Sequence, residues 1–148
     1  MHALVRRRGR ADELELLYGI MKRALREATE RMFGPWDETL QRQMFFRSTK
    51  PEQHELVLLD GEVVGYLLIE RAREAITLQR ITLLPEVQKR GLGTQLIREV
   101  MTEAAAQRVP LRLQVFPDNP ARRLYARLGF VEIGASETHV QMQWRPLQ

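Results

Sequence analysis

The stretch "VQKRGLGTQL", Val87 to Leu96, sets two cations and two glycines directly ahead of a run in which apolar residues return at helical spacing. Leu92, Leu96, Ile97, Val100, Met101, Ala104 and Ala105 fall on one face, which predicts a helix over about 92–107. Upstream, Ala75 to Leu84 reads "AITLQRITLL", a strand that Pro85 ends. The stretch therefore joins a strand to a helix. Glycines at 91 and 93 let the backbone turn tightly and approach a ligand without Cβ clashes. The first N–H groups of the helix have no intrahelical partner and carry the positive end of its dipole, so such a junction can cradle an anion. Lys89 and Arg90 add attraction, and Thr94 adds a hydroxyl. A plain Gly-rich turn with solvated basic residues has the same local pattern, and only the surroundings separate the two. The segment is not a P-loop, because GxxxxGK[ST] is absent. It is a poor dinucleotide fingerprint, since GxGxxG would require Gly or Ala at Leu96. What remains is Q-x-x-G-x-G, Gln88 to Gly93.

Working outward, helical and strand patterns alternate without repeats. "ALVRR" suits a short first strand. Asp12 is placed to cap a helix in which Leu14, Leu17, Tyr18, Met21 and Leu25 recur every three or four residues. That helix should fade by "RMFGPWDE", where Gly34 and Pro35 punctuate, and a second should run from Asp37 to about Phe46. "ELVLLDGEVVGYLLIERA" is a hairpin, with strands Glu55 to Leu59 and Val63 to Arg71 joined at Asp60-Gly61. After the helix, "LRLQVF" alternates as a strand, and "NPARRLYARLGF" forms a short helix with Pro120 near its first turn and Gly129 at its close. "FVEIG" and "HVQMQW" make a final pair of strands. The order β, α, α, β, β, β, α, β, α, β, β describes a mixed α/β fold: a sheet with helices on its faces.

Composition limits the chemistry. The 148 residues fit one domain, 1–148, with a single core, and 44% hydrophobic with 28% charged residues is a globular balance. No apolar run approaches the roughly 18 to 20 residues that span a bilayer, and "MHALVRRRGRADE" lacks the apolar segment of a signal peptide. A cytoplasmic location without membrane attachment is expected. With no cysteine, disulfides, thiolate nucleophiles and cysteine-ligated zinc are excluded. His2, His54 and His139 are too scattered for a metal site, so no metal is expected. The net charge of +4 permits an anionic partner without naming it.

"ITLLPEVQKRGLGTQLIREVM" and "NPARRLYARLGFVEIG" together resemble the two signature regions of the GCN5-related N-acetyltransferase superfamily, which moves the acetyl group of acetyl-coenzyme A to an amine. The regions cover about Ile81 to Gly134, and the hairpin sits where that family has one; the N-terminal third resembles it only in element order. The resemblance implies a central, mostly antiparallel, twisted sheet of six to seven strands with a splayed parallel central pair and about four helices. It implies acetyl-CoA as cosubstrate. The backbone of Gln88, Lys89, Arg90, Gly91, Leu92, Gly93 and Thr94 would hold the pyrophosphate, and that of Ile81, Thr82 and Leu83 the pantetheine and acetyl carbonyl. Asn119 would contact the pantetheine arm, Arg122 would lie along the cofactor, and Tyr125 would be the general acid that protonates the departing thiolate.

Elementary acid–base chemistry sets the task. An alkylammonium of pKa about 10.4 leaves roughly one molecule in 2,500 neutral at pH 7, a handicap of about 4.6 kcal/mol. The thiol of pKa about 8.5 and a tyrosine of about 10 are close enough for proton transfer in the transition state, and backbone N–H groups would stabilise the oxyanion. Direct attack needs no covalent enzyme intermediate. Each residue also has an ordinary structural role open to it. Tyr125 can be packing with its hydroxyl at the surface, Asn119 before Pro120 can be a turn or cap, and Arg122 and Arg123 can be solvated charges.

Members of the family often carry a Glu as base on the strand before the cradle, whereas this strand has Thr77 and Gln79. Glu70 and Glu74 serve only if they face the cleft; among the histidines, His139 in the C-terminal strand is preferred to His54 as the base. A water chain or an acceptor arriving neutral is the alternative. On the acceptor side, Phe33, Trp36 and Asp37 can form an aromatic and acidic wall for a cationic amine, or Phe33 and Trp36 can be core staples with Asp37 capping the second helix. The expected partner is a small-molecule or peptide amine, with a homodimer through sheet edges or C-terminal strands compatible. Two other classes stand: a coenzyme A-binding relative without transfer activity, and a small basic nucleic-acid-binding domain. Against the second, the Arg residues alternate with Glu along the helices and form no stripe with interleaved aromatics, so no nucleic-acid partner is expected.

Overall fold

The computed structural model describes residues 3–147. His2 lies outside them. Its elements are β1 (Leu4–Arg8), α1 (Leu14–Phe33), α2 (Glu38–Ser48), β2 (His54–Leu59), β3 (Glu62–Arg71), β4 (Ile76–Leu83), α3 (Leu92–Gln107), β5 (Leu111–Val115), α4 (Ala121–Arg127), β6 (Val131–Ala135) and β7 (Val140–Trp144). Three 3-10 turns, Ala11–Glu13, Pro51–Gln53 and Pro85–Val87, introduce α1, β2 and the junction before α3. The seven strands form a mixed sheet in the order β1-β2-β3-β4-β5-β7-β6. The ladders β1–β2, β2–β3, β5–β7 and β6–β7 are antiparallel, and β4–β5 is parallel. This is the expected element order and the expected parallel pair.

By its contacts the chain divides into two compact units, one made of the residues up to Leu68 with Arg80–Arg90, the other of Ile69–Gln79 with the residues from Gly91 on. In the first unit, α1 buries Leu17, Tyr18, Ile20 and Met21, and the edge-on contact of Tyr18 with Phe45 at 5.6 Å ties it to α2. Gly34, at φ 87°, ends α1 and returns its N–H to the Glu30 carbonyl. The Asp37 carboxylate accepts the Leu40 N–H and caps α2. Asp60 and Gly61 both take positive φ, as the tight two-residue hairpin turn between β2 and β3 requires.

Asp12 does not cap α1. It is exposed within the 3-10 turn, and the helix starts two residues later. Glu13 closes this entry instead: its buried carboxylate accepts the Arg10 N–H at 2.8 Å and two Arg7 nitrogens at 2.9 and 2.7 Å. The Arg7 guanidinium holds the Glu13 carboxyl down to about 2.

In the second unit, Leu111, Leu113 and Val115 of β5 are buried while the residues between them are exposed, and Val140 and Met142 of β7 face the same core. Leu92, Leu96, Ile97, Val100 and Ala104 of α3 are buried; Met101 is half-buried and Ala105 exposed, so the apolar stripe is narrower than its sequence spacing predicts. Gly129, at φ 105°, closes α4 before Phe130 re-enters the core. β6 is exposed along its length and ends the sheet order.

Candidate functional site

The junction after β4 is built locally. Pro85 starts the 3-10 turn, the Val87 and Gln88 amides bond back to Leu84 and Pro85, and the Gln88 side-chain amide donates to the Leu83 carbonyl at 2.9 Å. Gln88 thus braces the end of β4 with its side chain. Lys89, a non-glycine residue, takes φ 64°, and Gly91 takes φ 79° at the N-cap of α3. No side chain caps α3, so the amides of Leu92, Gly93 and Thr94 open outward without an intrahelical acceptor. A Cβ at Gly91 would meet nothing within 4 Å, which marks open space in front of the turn. Lys89 and Arg90 are exposed, and among the described residues no carboxylate pairs with either. These features fit the pyrophosphate of coenzyme A: donors without acceptors, positive charge without a counterion, and room for approach.

Within the first unit, Thr82 is buried and Ile81 and Leu83 half-buried on β4. Gly65 of β3 lies so close that a Cβ there would stand 2.3 Å from the Thr82 carbonyl oxygen. In the second unit, the parallel ladder pairs only Ile76 to Leu78 with Leu111 to Leu113.

The second signature region folds around Asn119. Its amide donates to the Phe116 carbonyl and its side-chain oxygen accepts the Ala121 N–H at 2.9 Å, so it is a turn and cap residue. Arg122 is committed to Glu132, at 2.7 Å through Nε, and to the Pro117 carbonyl at 2.9 Å. Asn119, Arg122, Arg123, Phe130 and Met142 line a cavity of about 800 Å³. Tyr125 has its ring buried at 6% exposure, 5.8 Å from Phe130. Burial pushes its pKa up, and among the described residues its hydroxyl has no hydrogen-bond partner.

His139 lies in the turn before β7, not in a strand, because β7 starts at Val140. It is half-buried, stacks on Phe116 at 4.7 Å, and shares a 2.8 Å hydrogen bond between Nδ1 and the Thr138 hydroxyl. His54 is a packing residue: 3% exposed, its Nδ1 is 2.8 Å from the Lys50 carbonyl, and burial pushes its pKa down. Glu70 and Glu74 are exposed.

Phe33 is 78% exposed and cannot be a core staple. Trp36 is half-buried, and its indole N–H donates to Glu38 at 3.2 Å. Glu38 also accepts the Tyr18 hydroxyl at 2.8 Å and the Lys22 ammonium, which together hold its carboxyl below the usual range. So the acid beside Trp36 is Glu38, while Asp37 is engaged as a cap. The only sequence signal for Glu38 was its place in the first turn of α2.

The chain belongs to the acetyltransferase (GNAT) family, whose model matches residues 19–130. Among solved structures it is similar to the PaiA N-acetyltransferase of Thermoplasma acidophilum in complex with coenzyme A, at 16% identity and TM-score 0.75 over 97% of this chain and 99% of that one. It is also similar to the ribosomal-protein-S18-alanine N-acetyltransferase of Escherichia coli, at 22% identity and TM-score 0.70 over 99% and 96% of the two chains. The apo form of YjaB from Escherichia coli matches at 21% identity and TM-score 0.73 over 98% and 99%.

Proposed function

We propose that the chain binds acetyl-CoA and transfers its acetyl group to a primary amine by direct attack in a ternary complex. The observation that carries this is the open end of α3, where the uncapped amides of Leu92, Gly93 and Thr94 follow the left-handed Gly91 and the unpaired Lys89 and Arg90. Bound acetyl-CoA would supply an activated thioester. The amides of α3 bind its pyrophosphate, and the β4 backbone at Ile81, Thr82 and Leu83 orients the acyl arm. Tyr125 keeps its proton across the physiological range, because burial raises its pKa, and offers that proton to the departing sulfur. Asn119 shapes the turn that presents α4, and Arg122 works through its bond to Glu132.

β4 carries Thr77 and Gln79 and no acidic residue, so the base lies elsewhere. We assign it to His139, whose Nδ1 lies 2.8 Å from the Thr138 hydroxyl; in the tautomer in which Nδ1–H donates to that hydroxyl, Nε2 is the nitrogen that takes a proton. His139→Gln should lower kcat about tenfold or more while acetyl-CoA binding is kept; an unchanged kcat assigns the step to water or to an acceptor that arrives neutral. Arg7, Arg23, Arg42, Arg71 and Arg122 are paired with carboxylates, which supports a small-molecule rather than a nucleic-acid partner. Among the described residues no helix is long and apolar enough to cross a membrane. Thermal stabilisation by acetyl-CoA and not by oligonucleotides is the expected first result, and the reverse would contradict the assignment.

A further inference from the structure

The inference rests on the acetyltransferase reading and concerns the chemical class of the acceptor. In the first unit, the Leu84 N–H bonds to the Val64 carbonyl at 2.8 Å, and a Cβ at Gly65 would touch the Thr82 oxygen and Leu83 Cα. Val64 is therefore opposite Leu84, which sets Tyr66 opposite Thr82 and Leu68 opposite Arg80. β2 adds Leu56 beside Tyr66 and His54 beside Leu68. Because side chains alternate along strands, His54, Tyr66, Thr82 and Arg80 share one face.

This group is unusual in what it lacks. Tyr66 is 1% exposed and its hydroxyl is enclosed, yet it makes no hydrogen bond. Buried hydroxyls are nearly always satisfied, so this donor has a partner to find. Thr82 is beside it, itself buried, and the Arg80 guanidinium acts on the same hydroxyl. His54 stands edge-on to Tyr66 at 5.5 Å, and the charge that reaches it is again that of Arg80. Among the described residues no carboxylate pairs with Arg80, in contrast to Arg23, Arg42 and Arg122. His54, with its Nδ1 turned to a carbonyl and its pKa pushed down, adds no charge at neutral pH. The face thus presents a fixed cation, a phenol and a threonine hydroxyl, and lacks only the anion they would bind. A planar guanidinium beside two hydroxyls matches the two oxygens of a carboxylate.

We propose that Arg80, Tyr66 and Thr82 hold the carboxylate of the acceptor, which makes the acceptor a small amino acid, with amine and carboxylate in one molecule. Arg80 is exposed, so its guanidinium is open to an arriving anion.

The test uses matched pairs: amino acids of graded chain length, each beside the amine that lacks its carboxylate, with thiol release from acetyl-CoA as readout. The expected result is a preference of about tenfold or more in kcat/KM for the acid of at least one pair. Arg80→Met should erase that preference by raising KM for the acid about tenfold while leaving its decarboxylated partner unchanged, and Tyr66→Phe should act in the same direction. Equal turnover of both members of every pair, or a preference that survives Arg80→Met, overturns the proposal. A parallel binding titration of the same acids by NMR keeps it separate from the transferase reading. Acid binding that is lost in Arg80→Met supports the subsite even if no amine is acetylated, and no binding to the wild type overturns it. Inorganic phosphate is the control anion: phosphate binding at Arg80 with no binding of any acid also overturns it.

Discussion

At Gly91 the proposed cofactor site depends on one residue's backbone geometry. Its φ of 79° is left-handed, so Gly91→Ala should cost about 1 kcal/mol in urea denaturation. The added methyl would project into the open space before the α3 amides, so acetyl-CoA affinity should fall by about tenfold or more, read by isothermal titration. A variant that binds acetyl-CoA normally would remove Gly91 from the site. At this scale the sequence was legible where the signal is local. Gly91 in Q-x-x-G-x-G makes the left-handed turn into α3, and Asp37 caps α2, as their residue types imply. Asp12 and Glu13 show the limit, because the choice between adjacent acids was made by Arg7 on β1, a partner the helix pattern does not contain. Phe33 and Trp36 show it again: helical spacing says nothing of which aromatic stays in solvent.

Between elements, β3 and β4 meet where Gly65 lets their backbones close up. A methyl group there would stand 2.3 Å from a carbonyl oxygen, and backbone cannot move aside as a flexible side chain can. Gly65→Ala should therefore destabilise by about 1–3 kcal/mol, seen as a lower denaturation midpoint with an unchanged slope. A midpoint like that of the wild type would mean that the strands can part at little cost. Element existence and order were readable from periodicity, since the α3 and β5 patterns are long and regular. What was not readable is pairing across elements. Glu132 on β6 claims Arg122 of α4, and Glu38 gathers Tyr18, Lys22 and Trp36, because those partners meet only once the chain has folded. The start of β7 at Val140, which leaves His139 in a turn, reflects the same limit at strand ends.

For the molecule as a whole, the +4 charge conceals many paired charges, and the half-buried Arg7 paired with the buried Glu13 carboxylate should dominate acid sensitivity. Glu13 is held at about 2 when folded, below its ordinary value of 4.5. A depressed carboxyl contributes stability that is fully present above about 4.5 and is lost as pH falls toward 2, on the order of 2–3 kcal/mol. Glu13→Gln should be less stable at pH 7 and should flatten that part of the stability–pH curve; a curve parallel to the wild type would contradict the assignment. The family, the element order and the parallel pair were legible because two signature regions and eleven elements agree, whereas the acceptor was not, since no local pattern in the sequence says which side chains meet it. The most direct measurement is thiol release from acetyl-CoA across a panel of primary amines, wild type beside Tyr125→Phe. At least one amine should stimulate release, and Tyr125→Phe should lower kcat about a hundredfold while acetyl-CoA binding and Tm hold. Release that no amine stimulates and that Tyr125→Phe leaves unchanged would contradict acetyl transfer by this chain.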